Sequence, residues 1–246
     1  MLKKERQGYI LQQLNIHNKV LSSDLSVQLN VSEDTIRRDL NELSEEGKLL
    51  KVHGGALSTS FHFTINNSNV YSLPEKQVIA GKALSMIKNG MFVLLSGGTT
   101  IRELVKALPQ DLNATFITVS VPIALELLNH PNCEVIFLGN KLLKSAQMAA
   151  GAEVVEKIKN IRADICFLGT NSIDVNGVTD LEWEVIEVKK AMLQAAKVKV
   201  ALAISEKLNS EQKLNVCSLD NLDYLITELD PSLELLSPYA QKVQVL

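Results

Sequence analysis

Residues 31–57, VSEDTIRRDLNELSEEGKLLKVHGGAL, admit few local structures. Ser32 stands where a helix cap is expected, and Ile36, Leu40 and Leu43 recur at i, i+4 and i+7, the spacing of one buried helix face. Asp34, Arg37, Arg38 and Asn41 fall on the opposite stripe. Gly47 suits the left-handed position after a last helical turn, and residues 50–53 alternate up to Gly54-Gly55, a pair that permits a tight hairpin turn. Upstream, Leu21, Leu25 and Leu29 form the stripe of an earlier helix that Ser22 can cap, leaving Asn30-Val31 as a tight turn. Two short helices across such a turn, followed by a ribbon, make a winged helix-turn-helix.

The second helix of that motif enters the major groove of DNA by its N-terminal half. Backbone N–H groups and the hydroxyls of Ser32 and Thr35 can meet phosphate there, and the guanidinium groups of Arg37 and Arg38 can meet phosphate or guanine edges. Two adjacent arginines alone would be only a solvated helix face; the preceding helix and turn supply the context. The stretch SEDTIRRDLNELSEEGKLLKVHGGA resembles the N-terminal signature of the DeoR family of bacterial transcriptional regulators. The resemblance implies that Thr35, Arg37 and Arg38 lie in the groove and that Lys51, His53 and the Gly54-Gly55 wing touch the DNA backbone. With Ser32 and Asn41 these form the expected DNA-binding set, and double-stranded operator DNA is the expected partner.

Composition qualifies this picture. The formal net charge is −3, and residues 1–57 carry eight basic side chains (Lys3, Lys4, Arg6, Lys19, Arg37, Arg38, Lys48, Lys51) against eight acidic ones. A neutral reader must gain affinity from the distribution of its charge and from engaging two or more heads together, so a homo-oligomer, dimer or tetramer, is expected. There is no apolar leader and no run near the roughly 18 apolar residues of a membrane span, which points to a cytoplasmic protein without a membrane partner. Cys133, Cys166 and Cys217 sit in or beside apolar runs, and His17, His53, His62 and His130 lack ligand spacing, so no metal and no cofactor are expected.

Taken in order, residues 2–16 form a third helix candidate, completing a head over 1–57, and the polar stretch 58–71 reads as a linker in which Phe61, Phe63 and Tyr71 could dock. A second domain, 72–246, opens with the capping-box spacing of Ser72 and Glu75 around Pro74. Its apolar runs at 91–95, 115–119, 134–138, 164–168, 198–204 and 224–227 have strand length, and helical stripes at 101–108, 122–128, 153–158 and 183–196 lie between most of them. This alternation predicts an α/β domain with a mainly parallel sheet behind a small α+β head, with ligands at the carboxyl ends of the strands.

The first of these strands runs into Ser96-Gly97-Gly98-Thr99-Thr100 and then a helix. Such a loop can cradle a phosphate on backbone donors, hydroxyls and a helix dipole, or it can be a tight turn whose hydroxyls merely cap the helix. It is neither a GxGxxG nor a Walker loop, which argues against dinucleotides and nucleotide hydrolysis. Lys207, directly after a strand, and Lys189, on a helix, could neutralise an anion, and Ser205 lies beside the former.

The family resemblance extends more loosely over residues 72–246, through Glu75-Lys76, Gly98-Thr99-Thr100, Gly177-Val178-Thr179, the run 187–192, and Ser205 with Lys207. It implies a sensor domain similar to ribose-5-phosphate isomerase and glucosamine-6-phosphate deaminase, which binds a small phosphorylated metabolite, generally a sugar phosphate. Where the family carries an aspartate, an asparagine, a glycine, an alanine and an aspartate, this chain has Ser96, Val119, Asn140, Thr170 and Ile204. An unusual effector, or a pocket without one, is therefore expected. The leading expectation is a sequence-specific regulator, a repressor of carbohydrate-metabolism genes, with no catalytic residues. A ligand-blind DNA-binding oligomer is the alternative, as is an isomerase or deaminase with a DNA-binding head. The latter needs a general base that these strand ends lack, leaving Asp174 and Asp180.

Overall fold

The computed structural model describes residues 1–17, 19–58 and 70–246, which divide into two compact units, Met1–Tyr71 and Ser72–Leu246. Most of the expected linker, residues 59–69 with Phe61 and Phe63, lies outside the described residues.

In the first unit α1 (Lys3–His17), β1 (Lys19–Leu21), α2 (Ser22–Leu29) and α3 (Glu33–Glu45) precede a hairpin of β2 (Leu49–Val52) and β3 (Gly55–Ser58). The predicted stripes close one core: Leu25 and Leu29 of α2 and Ile36, Leu40 and Leu43 of α3 pack with Ile10, Leu14, Val20, Leu49 and Ala56. Asn30 turns the chain through a left-handed conformation between α2 and α3. Three local expectations change. Ser22 does not cap α2; it is the helix's buried first residue, and the cap position falls to Leu21, which makes no side-chain bond. Leu21 itself is half-exposed in β1, a strand too short to leave a period-two signature. Ser58 ends β3 and is not linker.

A further change concerns the wing. Val52 pairs with Gly55, so the hairpin loop is His53-Gly54, with Gly54 at φ +79°, and Gly55 is already strand. Gly55 is needed for another reason: β3 lies between β1 and β2, and a Cβ at this position would stand 2.0 Å from the carbonyl oxygen of Val20. The third strand of the sheet thus leans on a backbone that has no side chain.

The second unit runs α4 (Leu73–Leu84), β4 (Phe92–Leu95), α5 (Thr99–Lys106), β5 (Thr115–Thr118), α6 (Val121–Leu127), β6 (Glu134–Phe137), the short pair β7 (Leu142–Leu143) and β8 (Met148–Ala149), and α7 (Ala152–Lys159). Then come β9 (Ala163–Gly169), β10 (Ser172–Asp174), β11 (Gly177–Asp180), α8 (Trp183–Gln194), β12 (Ala196–Leu202), β13 (Leu214–Ser218), β14 (Tyr224–Ile226), α9 (Ser237–Ala240) and β15 (Gln244–Val245). The main sheet has the order β15-β14-β12-β9-β4-β5-β6, and every neighbouring pair is parallel, as the alternating runs predict. Leu94, Ile117 and Cys166 from its strands pack with Val154 and Ile158 of α7 and Val188 and Met192 of α8. The capping box at Ser72 does not form: Ser72 takes a left-handed conformation and makes no side-chain cap bond.

Strand order places the crevice. From β4 the chain winds outward through β5 to β6, whereas β9 lies on the other side of β4 and leads outward to β12 and β14. The reversal falls between β4 and β9, and ligands of open α/β sheets sit at such a switch point beyond the strand carboxyl ends. The antiparallel side sheet β10-β11-β13 starts a few residues past this point. Its strands, three to five residues each, are too short to leave a periodic signature.

Candidate functional site

The candidate DNA-reading surface is built on α3. Ser32 caps it, its Oγ accepting from the Thr35 N–H at 3.2 Å and lying 2.9 Å from the Thr35 hydroxyl. Arg37 and Arg38 are both exposed, on the face away from the core. They differ in their commitments. Arg37 pairs with Asp34 at 3.2 Å and Glu33 at 3.5 Å, while the Arg38 guanidinium has no partner among the described residues. Asn41 lies exposed one turn beyond Arg38, Lys51 is exposed on β2, and His53 and Gly54 form the exposed loop of the wing. Gly55 is buried and faces β1.

Sequence periodicity missed what holds α3. Asp39 is 1% exposed and receives two hydrogen bonds from Arg6 of α1, at 2.5 and 3.2 Å. One turn on, Glu42 accepts from Lys3 at 2.8 Å and Gln7 at 2.9 Å. The bond to Asp39 raises the Arg6 pKa further, and the bond from Lys3 holds the Glu42 carboxyl below its ordinary range. The spacing Lys3, Arg6, Gln7 against Asp39, Glu42 was visible in the sequence, but only the packing of α1 on α3 brings the two rows together.

At the switch point in the second unit, Ser96 is buried and its Oγ accepts from the Gly169 N–H at 2.8 Å, tying the end of β4 to the end of β9. This hydroxyl holds the turn instead of standing free in it. Gly98 takes φ +120° as the cap residue of α5 and makes no side-chain cap bond, and the first turn carries no acidic residue. The N–H groups of Thr99, Thr100 and Ile101 have no acceptor among the described residues. They are aligned with the positive end of the helix and suit an anion.

Lysines surround this turn more deeply than periodicity suggests. Lys189 is buried, and its Nζ donates to Asp180 at 2.7 Å and to the Gly169 carbonyl at 3.0 Å. Burial works to raise the Asp180 pKa, but the ion pair with Lys189 and hydrogen bonds from Leu181 and Asn171 prevail and hold it low. Lys207 donates to the Thr170 carbonyl at 2.7 Å, and its pKa is drawn down to about 7, first by burial and then by Lys76 and Lys189 nearby. Lys76, 2% exposed, is drawn down to about 8 by burial, against the pull of Glu206, Glu103 and Glu75. Three ammonium groups therefore share the carboxyl ends of the strands. Ser205 joins them half-buried, its N–H held by the Glu228 carboxylate at 3.0 and 3.1 Å. Among the described residues no cluster of His, Cys, Asp and Glu could hold a metal ion, and no helix is long and apolar enough to cross a membrane.

Comparison with known proteins agrees with both halves of this description. The profile of the DeoR-like helix-turn-helix domain matches residues 6–61, and that of the DeoR C terminal sensor domain matches residues 72–229. The HTH-type transcriptional regulator YulB of Bacillus subtilis is 34% identical over 241 residues, covering 94% of this chain and 92% of that protein. The HTH-type transcriptional repressor GlcR of the same organism is 33% identical over 238 residues, covering 94% and 91%. Among solved structures, ribose 5-phosphate isomerase A of Methanocaldococcus jannaschii aligns with a TM-score of 0.41 and 17% identity, over 54% of this chain and 53% of that one. With its reading helix, its wing and its sensor domain all matched, the chain belongs to the DeoR family of transcriptional regulators, DNA-binding proteins and not enzymes.

Proposed function

We propose that this protein is a ligand-controlled repressor whose head, residues 1–57, reads operator DNA while residues 72–246 sense a small phosphorylated metabolite and join copies of the chain. The observation that carries the ligand reading is the set of N–H groups at the start of α5, at the switch point, that have no acceptor among the described residues. Burial lowers the pKa of both Lys76 and Lys207, and for Lys207 the ammonium groups of Lys76 and Lys189 lower it further, a concentration of positive charge that a phosphate dianion would relieve. The contact set is the turn 96–100 with Lys189, Ser205 and Lys207; Ser96 and Lys189 serve mainly by holding the walls. On the DNA side, Arg38 and Asn41 read base edges, and Thr35, Lys51, His53 and the wing loop meet phosphates.

A regulator of this kind works by population shift: the ligand favours one arrangement of the heads, and only one arrangement spans two half-sites. GlcR carries the name of a repressor, which supports the same sign of control here. Gel shifts on the DNA upstream of the protein's own gene, with and without a panel of sugar phosphates, test the reading. A retarded band that one sugar phosphate abolishes is the expected result. A band that no phosphorylated compound alters, with no thermal shift across the panel, would leave a ligand-blind DNA-binding oligomer instead.

A further inference from the structure

Ser120 sits at the carboxyl end of β5, in the cap position of α6, with extended backbone (φ −90°, ψ 122°). A serine there ordinarily turns its hydroxyl onto an N–H of the first helical turn. This one does not, for Ser120 makes no cap hydrogen bond. Its backbone is pinned on every side: its N–H donates to the Thr118 hydroxyl at 3.1 Å, its carbonyl accepts from Ala124 at 2.9 Å, and the next N–H donates to Gln147 at 3.0 Å. The hydroxyl is thus held in place, and it lies 3.3 Å from where a Cβ on Gly97 would be. Ser120 is 2% exposed, and its Oγ has no hydrogen-bond partner among the described residues. A hydroxyl held in so nearly buried a position gains from any acceptor brought to it.

What is missing beside Gly97 is an acceptor, and the same is missing above the first turn of α5, where no described residue receives the N–H bonds of Thr99, Thr100 and Ile101. A single tetrahedral oxyanion can answer both, because a phosphate monoester offers three acceptor oxygens pointing in different directions. A neutral sugar or a planar carboxylate offers no such set. We propose that Ser120 is a ligand-reading hydroxyl of this site, donating to one oxygen of a phosphate monoester whose other oxygens meet the N-terminal turn of α5. The inference rests on the phosphate reading of the 96–100 turn. It adds a residue from a fourth strand end, β5, to a site otherwise drawn from β4, β9 and β12.

Isothermal titration of the full chain with ribose 5-phosphate and with inorganic phosphate separates the possibilities, comparing wild type with Ser120→Ala and Ser120→Cys. Both variants preserve the buried backbone, and their melting temperatures without ligand should match wild type. The expected result is about a tenfold loss of affinity in Ser120→Ala for either probe, the scale of one hydrogen bond to a charged oxygen, and a smaller loss in Ser120→Cys. Undiminished binding by both variants overturns the role of Ser120 and leaves the phosphate site standing. Silence of the wild type towards both probes overturns the phosphate reading and this inference together.

Discussion

Arg37 and Arg38 are neighbours on one exposed helix face, yet only Arg37 is tied by ion pairs to its own helix. An exposed pair of this kind is weak, but its carboxylates compete with phosphate for the guanidinium. Arg38 has nothing to give up on meeting DNA. Arg38→Ala should therefore weaken operator binding by about 1–3 kcal/mol and relax preference at one base pair, whereas Arg37→Ala should cost less and do so evenly across sequences. Fluorescence anisotropy on operator and single-substituted duplexes distinguishes the two. Lys207 makes a prediction about pH. Below about 7 its ammonium is charged in the folded and unfolded chain alike, so the burial cost is fully present. Between about 7 and its ordinary 10.5 the folded state releases the proton first, and stability rises with pH. Urea midpoints of wild type and Lys207→Met should accordingly lie far apart at pH 6 and converge towards pH 9. An anion bound beside Lys207 must keep the proton on, so phosphate affinity should fall over the same range.

At the level of elements, α3 owes its position to α1 as much as to its own apolar stripe. Arg6 and Asp39 form a nearly buried pair, with side chains 12% and 2% exposed. Removing one partner of such a pair leaves a buried charge and costs about 3–5 kcal/mol, whereas replacing both with apolar groups of similar size is close to neutral. Arg6→Met should lower hydrogen-exchange protection across residues 33–45 and weaken DNA binding, and adding Asp39→Leu should restore most of the protection. If the double variant is no better protected than the single, the pair does not set the helix. The elements themselves were largely legible: each expected strand and helix of the second unit is present within a few residues, because buried parallel strands and amphipathic helices leave strong periodicities. What was not legible depends on tertiary packing. The strand β1 has three residues and no period to detect, Gly55 is a glycine because β1 passes over it, and the buried role of Lys189 follows only from the arrival of Asp180 beside it.

For the whole molecule, charge balance constrains how DNA can be held. Among the described residues of the first unit, Lys4, Lys19, Arg38 and Lys51 have no acidic partner, whereas Lys3, Arg6, Arg37 and Lys48 are paired. A single head then neutralises only a few phosphates, and a steep dependence on salt requires more than one head on the same duplex. The slope of log affinity against log salt should be about twice as steep for an operator with two half-sites as for one with a single half-site. Equal slopes would mean that one head binds alone. The position of the 96–100 turn at the carboxyl end of the sheet was legible at this scale too, since it follows the first strand of a parallel sheet. Ser120 was not, because a serine before a helix reads as a cap until the direction of its hydroxyl is known.

Gly169 closes the floor of the crevice. A Cβ there would lie 2.6 Å from the Gly97 carbonyl, and its own N–H and carbonyl are gripped by Ser96 and Lys189. The base of the cavity is main chain against main chain, so no substitution can reshape it without parting two strands. Under the proposed function, preference among effectors is then set in the rim, by the side chains that overhang the turn.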